Sequence, residues 1–141
     1  MLSNSSKVII KGKAIRGTPG SAGLDLFSQH DYTIMPGNFA AVRTGVYTLF
    51  PKDIYGKIEM RSGLAFKYQA FILGGVIDSD YRGELIALIM NGGKKQLDIK
   101  KDDRVAQLIL GKVETNIQII CDDCGSTVKN ERTGGFGSTG K

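Results

Sequence analysis

Tryptophan is absent from these 141 residues, histidine occurs once and cysteine twice, and each scarcity removes a class of answers. With His30 as the only imidazole, Ser-His-Asp and Cys-His catalysis have no base unless His30 serves alone, and it lies beside Asp31 at a turn. Cys121 and Cys124 form a single C-x-x-C with no second Cys or His pair, so a four-ligand zinc site cannot be built within one chain. The flanking Asp122 and Asp123 disfavour a thiolate, and the pair is expected as two reduced thiols in a polar turn. No apolar run approaches the roughly 18 residues that a membrane-spanning helix needs. The opening MLSNSSKVII lacks the basic-then-apolar layout of a secretory signal, so an intracellular protein, cytoplasmic or nuclear, is expected.

Charge of one sign is not concentrated either. The 19 basic residues are interleaved with 14 acidic ones, and the net +5 suits a polyphosphate ligand, nucleic acid or simple solubility. Lys7, Lys11, Lys13 and Arg16 crowd the N-terminal segment, but no aromatic residues alternate with them as a single-strand stacking platform requires. Stable nucleic-acid binding is not expected, nor is a membrane partner.

What the sequence does have is glycine, 19 residues of it, spread between short runs rich in β-branched and aromatic residues. These runs include KVII near residue 8, LDLFS at 24, AAVRTGVYTLF at 40–50 and YGKIEM at 55. FILGGVID at 71–78, GELIALIM at 83–90, RVAQLILGKV at 104–113 and NIQII at 116–120 follow. Turn signals at PG, SGL and NGG separate them, which is the spacing of an all-β sandwich or barrel. No window sustains a helical period for three turns, though MRSGLAFKYQ has room for a short helical turn between Gly63 and Tyr68. One domain is expected over residues 1–124. Residues 125–141, GSTVKNERTGGFGSTGK, carry one aliphatic and one aromatic side chain, too little to order themselves, and are expected as a mobile arm. Within that arm Gly135 to Lys141 has the G-x₄-G-K spacing of a P-loop, without the following Ser or Thr and helix that such a loop needs.

Three internal segments could carry chemistry. GGVIDSDYRGE, residues 74–84, reads as a tight β-hairpin loaded with polar groups at its tip. Asp78 there could serve as a general base for a water, or simply cap the bend as an Asx-turn, and on the segment alone the second has the better claim. RSGLA, residues 61–65, sets a guanidinium, a hydroxyl and a Gly N–H in succession, which suits a phosphate or carboxylate and is also ordinary turn chemistry. Gln107 sits among apolar neighbours in DDRVAQLIL, where its amide must find partners, in a ligand or in neighbouring backbone.

Taken together and in order, AGLDLFS (22–28), RSGLA (61–65), GGVIDSDYRGE (74–84), DRVAQLI (103–109) and GGFGSTG (134–140) resemble the five motifs of the trimeric dUTPases. The resemblance implies an all-β jelly roll, a barrel or sandwich, assembled as a homotrimer with sites shared between subunits. It also implies hydrolysis of dUTP to dUMP and pyrophosphate with Mg²⁺, limiting uracil in DNA and supplying dUMP for dTMP synthesis. On that resemblance Asp78 activates the attacking water and Tyr81 packs on the deoxyribose. Gly75, Val76 and Ile77 read uracil through backbone groups, while Arg61, Ser62, Gly63 and Gln107 hold the phosphates. Asp25 binds Mg²⁺ from the outer shell through water. The arm closes over a neighbouring subunit's site, with Phe136 stacked on uracil and Arg132, Gly137, Ser138 and Thr139 at the γ-phosphate.

Three positions depart from the family pattern. Leu24 stands where Tyr is usual, and Met60 where Pro or Gly commonly precedes the Arg-Ser pair. The arm's Arg usually lies five residues before the Phe, whereas here Glu131 holds that place and Arg132 lies four before Phe136. Glycine's conformational range between Thr133 and Gly135 is expected to absorb the shift. Two rival readings are a deoxycytidine triphosphate deaminase of the same fold and a regulatory protein that kept the fold and lost turnover.

Overall fold

The structure is a computed structural model that describes residues 7–121 and 134–136. Twelve short strands and one short helix follow one another along the described chain. The first six are β1 (Ile9–Lys11), β2 (Ala14–Ile15), β3 (Gly23–Phe27), β4 (Tyr32–Ile34), β5 (Phe39–Arg43) and β6 (Tyr47–Leu49). Then come β7 (Ile54–Met60), α1 (Ser62–Tyr68), β8 (Ala70–Ile72), β9 (Val76–Ile77), β10 (Ile86–Asn91), β11 (Leu97–Ile99) and β12 (Arg104–Lys112).

Every strand pairing among the described residues is antiparallel. The strand orders are β2-β3-β12-β7-β9, β5-β10-β8, β1-β6 and β11-β4, so spatial neighbours are mostly distant in sequence. This is the expected all-β, jelly-roll-like architecture, closed around one core. Leu26, Ile34, Val42, Ile58, Leu85, Ile89, Leu97, Ile99 and Leu108 belong to one buried cluster. Alternation along β10 explains its place there, because Ala87, Ile89 and Asn91 point in while Ile86, Leu88 and Met90 are only part-covered. Asn91 is the polar member of that inward row, and it is satisfied. Its Nδ2 donates to the carbonyls of Ile34 (2.9 Å) and Lys95 (2.7 Å), and its Oδ1 accepts from the Gly93 N–H (3.1 Å).

The short helix forms where the sequence allows it. α1 ends at Gln69, whose φ of 51° is left-handed, and the Gln69 amide donates to the Phe66 carbonyl at 2.8 Å. Two expectations need correction. NIQII, residues 116–120, is not a strand. Ile117, Ile119 and Ile120 are 65, 79 and 85% exposed, and no described strand pairs with this stretch. An apolar run gains strand structure only when a neighbour takes its backbone hydrogen bonds. Cys121 is disulfide-bonded rather than reduced. Flanking carboxylates oppose the ionised thiolate, but they do not oppose a disulfide once it has formed. The other cysteine of the sequence, Cys124, lies outside the described residues.

Candidate functional site

Gly74 and Gly75 make the central bend. Their φ angles are +66° and +106°, a region that L side chains rarely adopt. A Cβ on Gly75 would also stand 2.7 Å from the Ile58 carbonyl oxygen. The bend takes the chain from one sheet to another. β8 before it pairs with β10, whereas β9 after it pairs with β7, so the segment is not the self-paired hairpin that its sequence suggests. The Gly75 carbonyl accepts from the Ile58 N–H at 2.8 Å and fixes the crossing point.

Beyond β9 a turn is closed by the Tyr81 N–H on the Asp78 carbonyl (3.2 Å). Arg82 braces it by donating to the carbonyls of Ser79 (2.8 Å) and Tyr81 (3.1 Å). Asp78 itself is exposed at the turn. The bend and the turn enclose a cavity of about 270 Å³, lined by Gly74, Gly75, Val76, Ile77, Asp78 and Tyr81. Ile58, Leu73, Ile86 and Leu88 complete an apolar wall, and Glu84, Gly135 and Phe136 also border it. One side is therefore backbone, one aliphatic and one the Tyr81 ring, with a carboxylate at the mouth. A flat heterocycle with an attached sugar suits such walls.

Asp25, Arg61, Ser62, Gly63 and Gln107 do not line that cavity. The paired strands bring most of them together elsewhere. Gln107 on β12 stands between Asp25 on β3 and Glu59 on β7 in the ladder register. Asp25, whose side chain is 18% exposed, lies 3.5 Å from the Arg61 Nε and 3.3 Å from the Arg104 Nη1. Arg61 also donates to the Arg104 carbonyl at 3.3 Å. One carboxylate thus steadies two guanidiniums at the sheet end, with Ser62 and Gly63 exposed beside them at the start of α1. The Gln107 amide donates to the Met60 carbonyl at 3.1 Å, so one of its N–H groups already has a backbone partner.

Arg132, Gly137, Ser138 and Thr139 lie outside the described residues. Phe136 is described, is 73% exposed and borders the cavity of its own chain, with Gly135 against the Tyr81 ring. Three residues at these places went unassigned in the sequence. Arg104 lies within DRVAQLI and Glu84 ends GGVIDSDYRGE, and each was visible only as part of a motif. Arg43 is brought to Glu84 from 41 positions away, and no local signal announces it.

The fold and the cavity together define a small all-β protein with one apolar-walled cleft and, apart from it, a cluster in which Asp25 holds two arginines. A family model for dUTPase matches residues 13–140, and the chain belongs to the dUTPase family. Among relatives, it is 44% identical over 126 residues to the deoxyuridine 5'-triphosphate nucleotidohydrolase of Paramecium bursaria Chlorella virus 1, covering 89% of this chain and 88% of that one. The mouse protein of the same name is 43% identical over 131 residues, with 89% and 76% covered. The structure described as native EIAV dUTPase aligns with a TM-score of 0.75 at 26% identity, over 85% of this chain and all of that one. A dUTPase of phage phi11 of S. aureus, described with a structural Mg(II) ion, shares the fold with a TM-score of 0.75 at 21% identity, covering 83% and 97%.

Proposed function

We propose that the protein is a dUTP pyrophosphatase. Water attacks the α-phosphorus, the bond to the bridging oxygen breaks, and dUMP and pyrophosphate leave, an activity that keeps uracil out of DNA and supplies dUMP for dTMP synthesis. The observation that carries this reading is the cavity with Tyr81 as one wall and Asp78 at its mouth, in a chain of this family. Asp78 takes the proton of the attacking water. Gly75, Val76 and Ile77 bring backbone close to the base, and the narrow bend excludes a 5-methyl group. The Tyr81 ring leaves no room for a 2′-hydroxyl, so ribonucleotides are rejected.

Arg61, Ser62, Gly63 and Gln107 hold the triphosphate, with Ser62 supporting the bridging oxygen where charge grows in the transition state. No group of three or more His, Cys, Asp or Glu side chains that could cage a metal occurs among the described residues. A single carboxylate beside a phosphate-binding arginine fits Mg²⁺ held mainly by triphosphate oxygens and waters, with Asp25 in the outer shell. The ion would neutralise phosphate charge during the attack. Asp25 meanwhile keeps Arg61 and Arg104 from repelling one another before substrate arrives.

One nucleotide must touch both the cavity and the arginine cluster, and we read the protein as a homotrimer whose sites draw on more than one chain. The exposed Ile117, Ile119 and Ile120 support association, since such a run is costly to leave in water. The arm, residues 125–141, closes over a bound nucleotide on a neighbouring subunit. Phe136 then stacks on uracil, while Arg132 and the polar groups of Gly137, Ser138 and Thr139 meet the γ-phosphate. No described helix is long and apolar enough to cross a membrane, and we place the enzyme inside the cell. The test is pyrophosphate release from dUTP, dCTP, dTTP and UTP in parallel, alongside sedimentation. Selective turnover of dUTP by a trimer is expected. Equal turnover of dCTP, or a fully active monomer, would overturn the substrate or the assembly respectively.

A further inference from the structure

The Tyr81 ring is held at its far end by a hydrogen bond from its hydroxyl to the backbone carbonyl of Glu84, at 2.9 Å. Where that carbonyl sits therefore bears on where the ring sits. The Glu84 side chain is 11% exposed and is anchored away from Tyr81, on β5 and the loop after it. Arg43 donates through Nη2 to Oε1 (2.8 Å) and through Nε to both oxygens (3.2 and 3.4 Å). The Gly45 N–H donates to Oε2 at 3.0 Å. The next residue is stitched to the same loop, with the Leu85 N–H on the Val46 carbonyl (2.8 Å) and the Thr44 hydroxyl on the Leu85 carbonyl (2.6 Å). Glu84 is thus fixed through its side chain and its following peptide, and it passes that rigidity to Tyr81. A bidentate Arg–carboxylate pair sets direction as well as distance.

We propose that Glu84, clamped by Arg43 and the Gly45 N–H, is the positioning residue that sets the Tyr81 ring and so tunes discrimination between deoxyribose and ribose. The inference rests on the reading of Tyr81 as the sugar-facing wall. It adds that selection is set by a carboxylate acting on the ring through its own backbone carbonyl. A side chain free to swing by even a fraction of an ångström admits a hydroxyl that a fixed one rejects.

The test measures kcat/KM for dUTP and UTP, and melting temperature, in the wild type and in Glu84→Gln, Arg43→Ala, Tyr81→Phe, Tyr81→Ala and the double variant Tyr81→Phe/Glu84→Gln. In Glu84→Gln an amide NH₂ must face either the guanidinium or the Gly45 N–H, so the dUTP/UTP ratio should fall by about tenfold, the worth of one charge-assisted hydrogen bond. Arg43→Ala should lower it less, because the Gly45 N–H still holds the carboxylate. Tyr81→Phe should match Glu84→Gln, and the double variant should be no worse than either single, since all three cut one linkage. Loss of melting temperature with an unchanged ratio would make Glu84 structural only and overturn the proposal, as would additive effects in the double variant. If Glu84→Gln does not fold, Arg43→Ala and Tyr81→Phe carry the same test, and an unchanged ratio in both overturns it. The underlying reading fails separately, by a Tyr81→Ala variant that keeps full discrimination against UTP.

Discussion

Asp25, Gln107 and Glu59 lie side by side because β3, β12 and β7 are paired residue against residue, whereas Tyr81 and Glu84 are held on a turn by hydrogen bonds of their own side chains. On the ladder, backbone pairing fixes each Cα, and a side chain can be changed without moving its neighbours' origins. On the turn, side chains hold the backbone, so changing one residue moves others. The ladder side should therefore tolerate substitution locally. The turn side should respond as a unit.

The largest expected effect is at the mouth of the cavity. Asp78→Asn keeps the shape but is no base, so kcat should fall by roughly 10²–10⁴ while dUTP binding is retained. Isothermal titration with a non-hydrolysable dUTP analogue, beside steady-state kinetics, separates the two. Normal turnover would remove Asp78 from the chemistry. Next comes Arg61→Ala, one residue past the end of β7 beside the ladder, expected to cost about 1.5–3 kcal/mol in kcat/KM as one charge-assisted contact to phosphate is lost. The ladder reading requires that its melting temperature change little. A large drop in stability would mean that the Asp25 pairings hold the sheet end together.

A pair of glycine substitutions sharpens the contrast. Gly75→Ala combines a left-handed φ with a Cβ 2.7 Å from the Ile58 carbonyl oxygen, a backbone atom that cannot step aside. It should destabilise by about 1–3 kcal/mol and weaken dUTP binding as well. Gly23→Ala meets Gln107 Oε1 and Ile109 Cδ1 at 2.8 Å, the far ends of side chains that can turn away, and the Leu108 carbonyl oxygen only at 3.2 Å, where a shift of a few tenths of an ångström relieves it. Chemical denaturation should show the smaller loss for Gly23→Ala, with a specific penalty in phosphate affinity as the Gln107 amide shifts. Equal losses would erase the distinction between the regions.

The same contrast explains how much could be read from the sequence. Strands such as β10 and β12 announce themselves as apolar runs with β-branched residues, and residues 61–65 and 74–84 by clustered polar groups beside glycine. β2, β4 and β11 are two or three residues long, too short for a period to show. NIQII has the pattern of a strand but no described neighbour to complete it. Motif order singled out Asp25, Arg61, Asp78, Tyr81 and Gln107 as candidates, yet gave no hint that Asp25 bridges Arg61 and Arg104 or that Arg43 reaches Glu84. Such pairings join residues tens of positions apart, and a local pattern contains no distance of that kind.

The smallest effect, and the one most particular to the turn, is a dependence on pH. Hydrogen bonding from Arg43 holds the Glu84 carboxyl below the usual carboxylate range; partial burial opposes this, and hydrogen bonds from the Gly45 and Thr44 backbone add to it. Because the folded form binds the proton less readily than the unfolded chain, the clamp contributes fully above the unfolded value of about 4.3 and fades as pH falls through the folded one. Backbone ladder bonds do not titrate in this range. The stability gap between wild type and Glu84→Gln should thus be flat from neutral pH to about 5, where the unfolded carboxyl is still mostly ionised, and should narrow at lower pH as protonated Glu84 comes to resemble the amide. Urea denaturation of both proteins across that range reads the gap directly. If it stayed constant down to the lowest pH at which both fold, the carboxylate's charge would contribute nothing to the clamp, and the turn would be held, like the ladder, by its backbone.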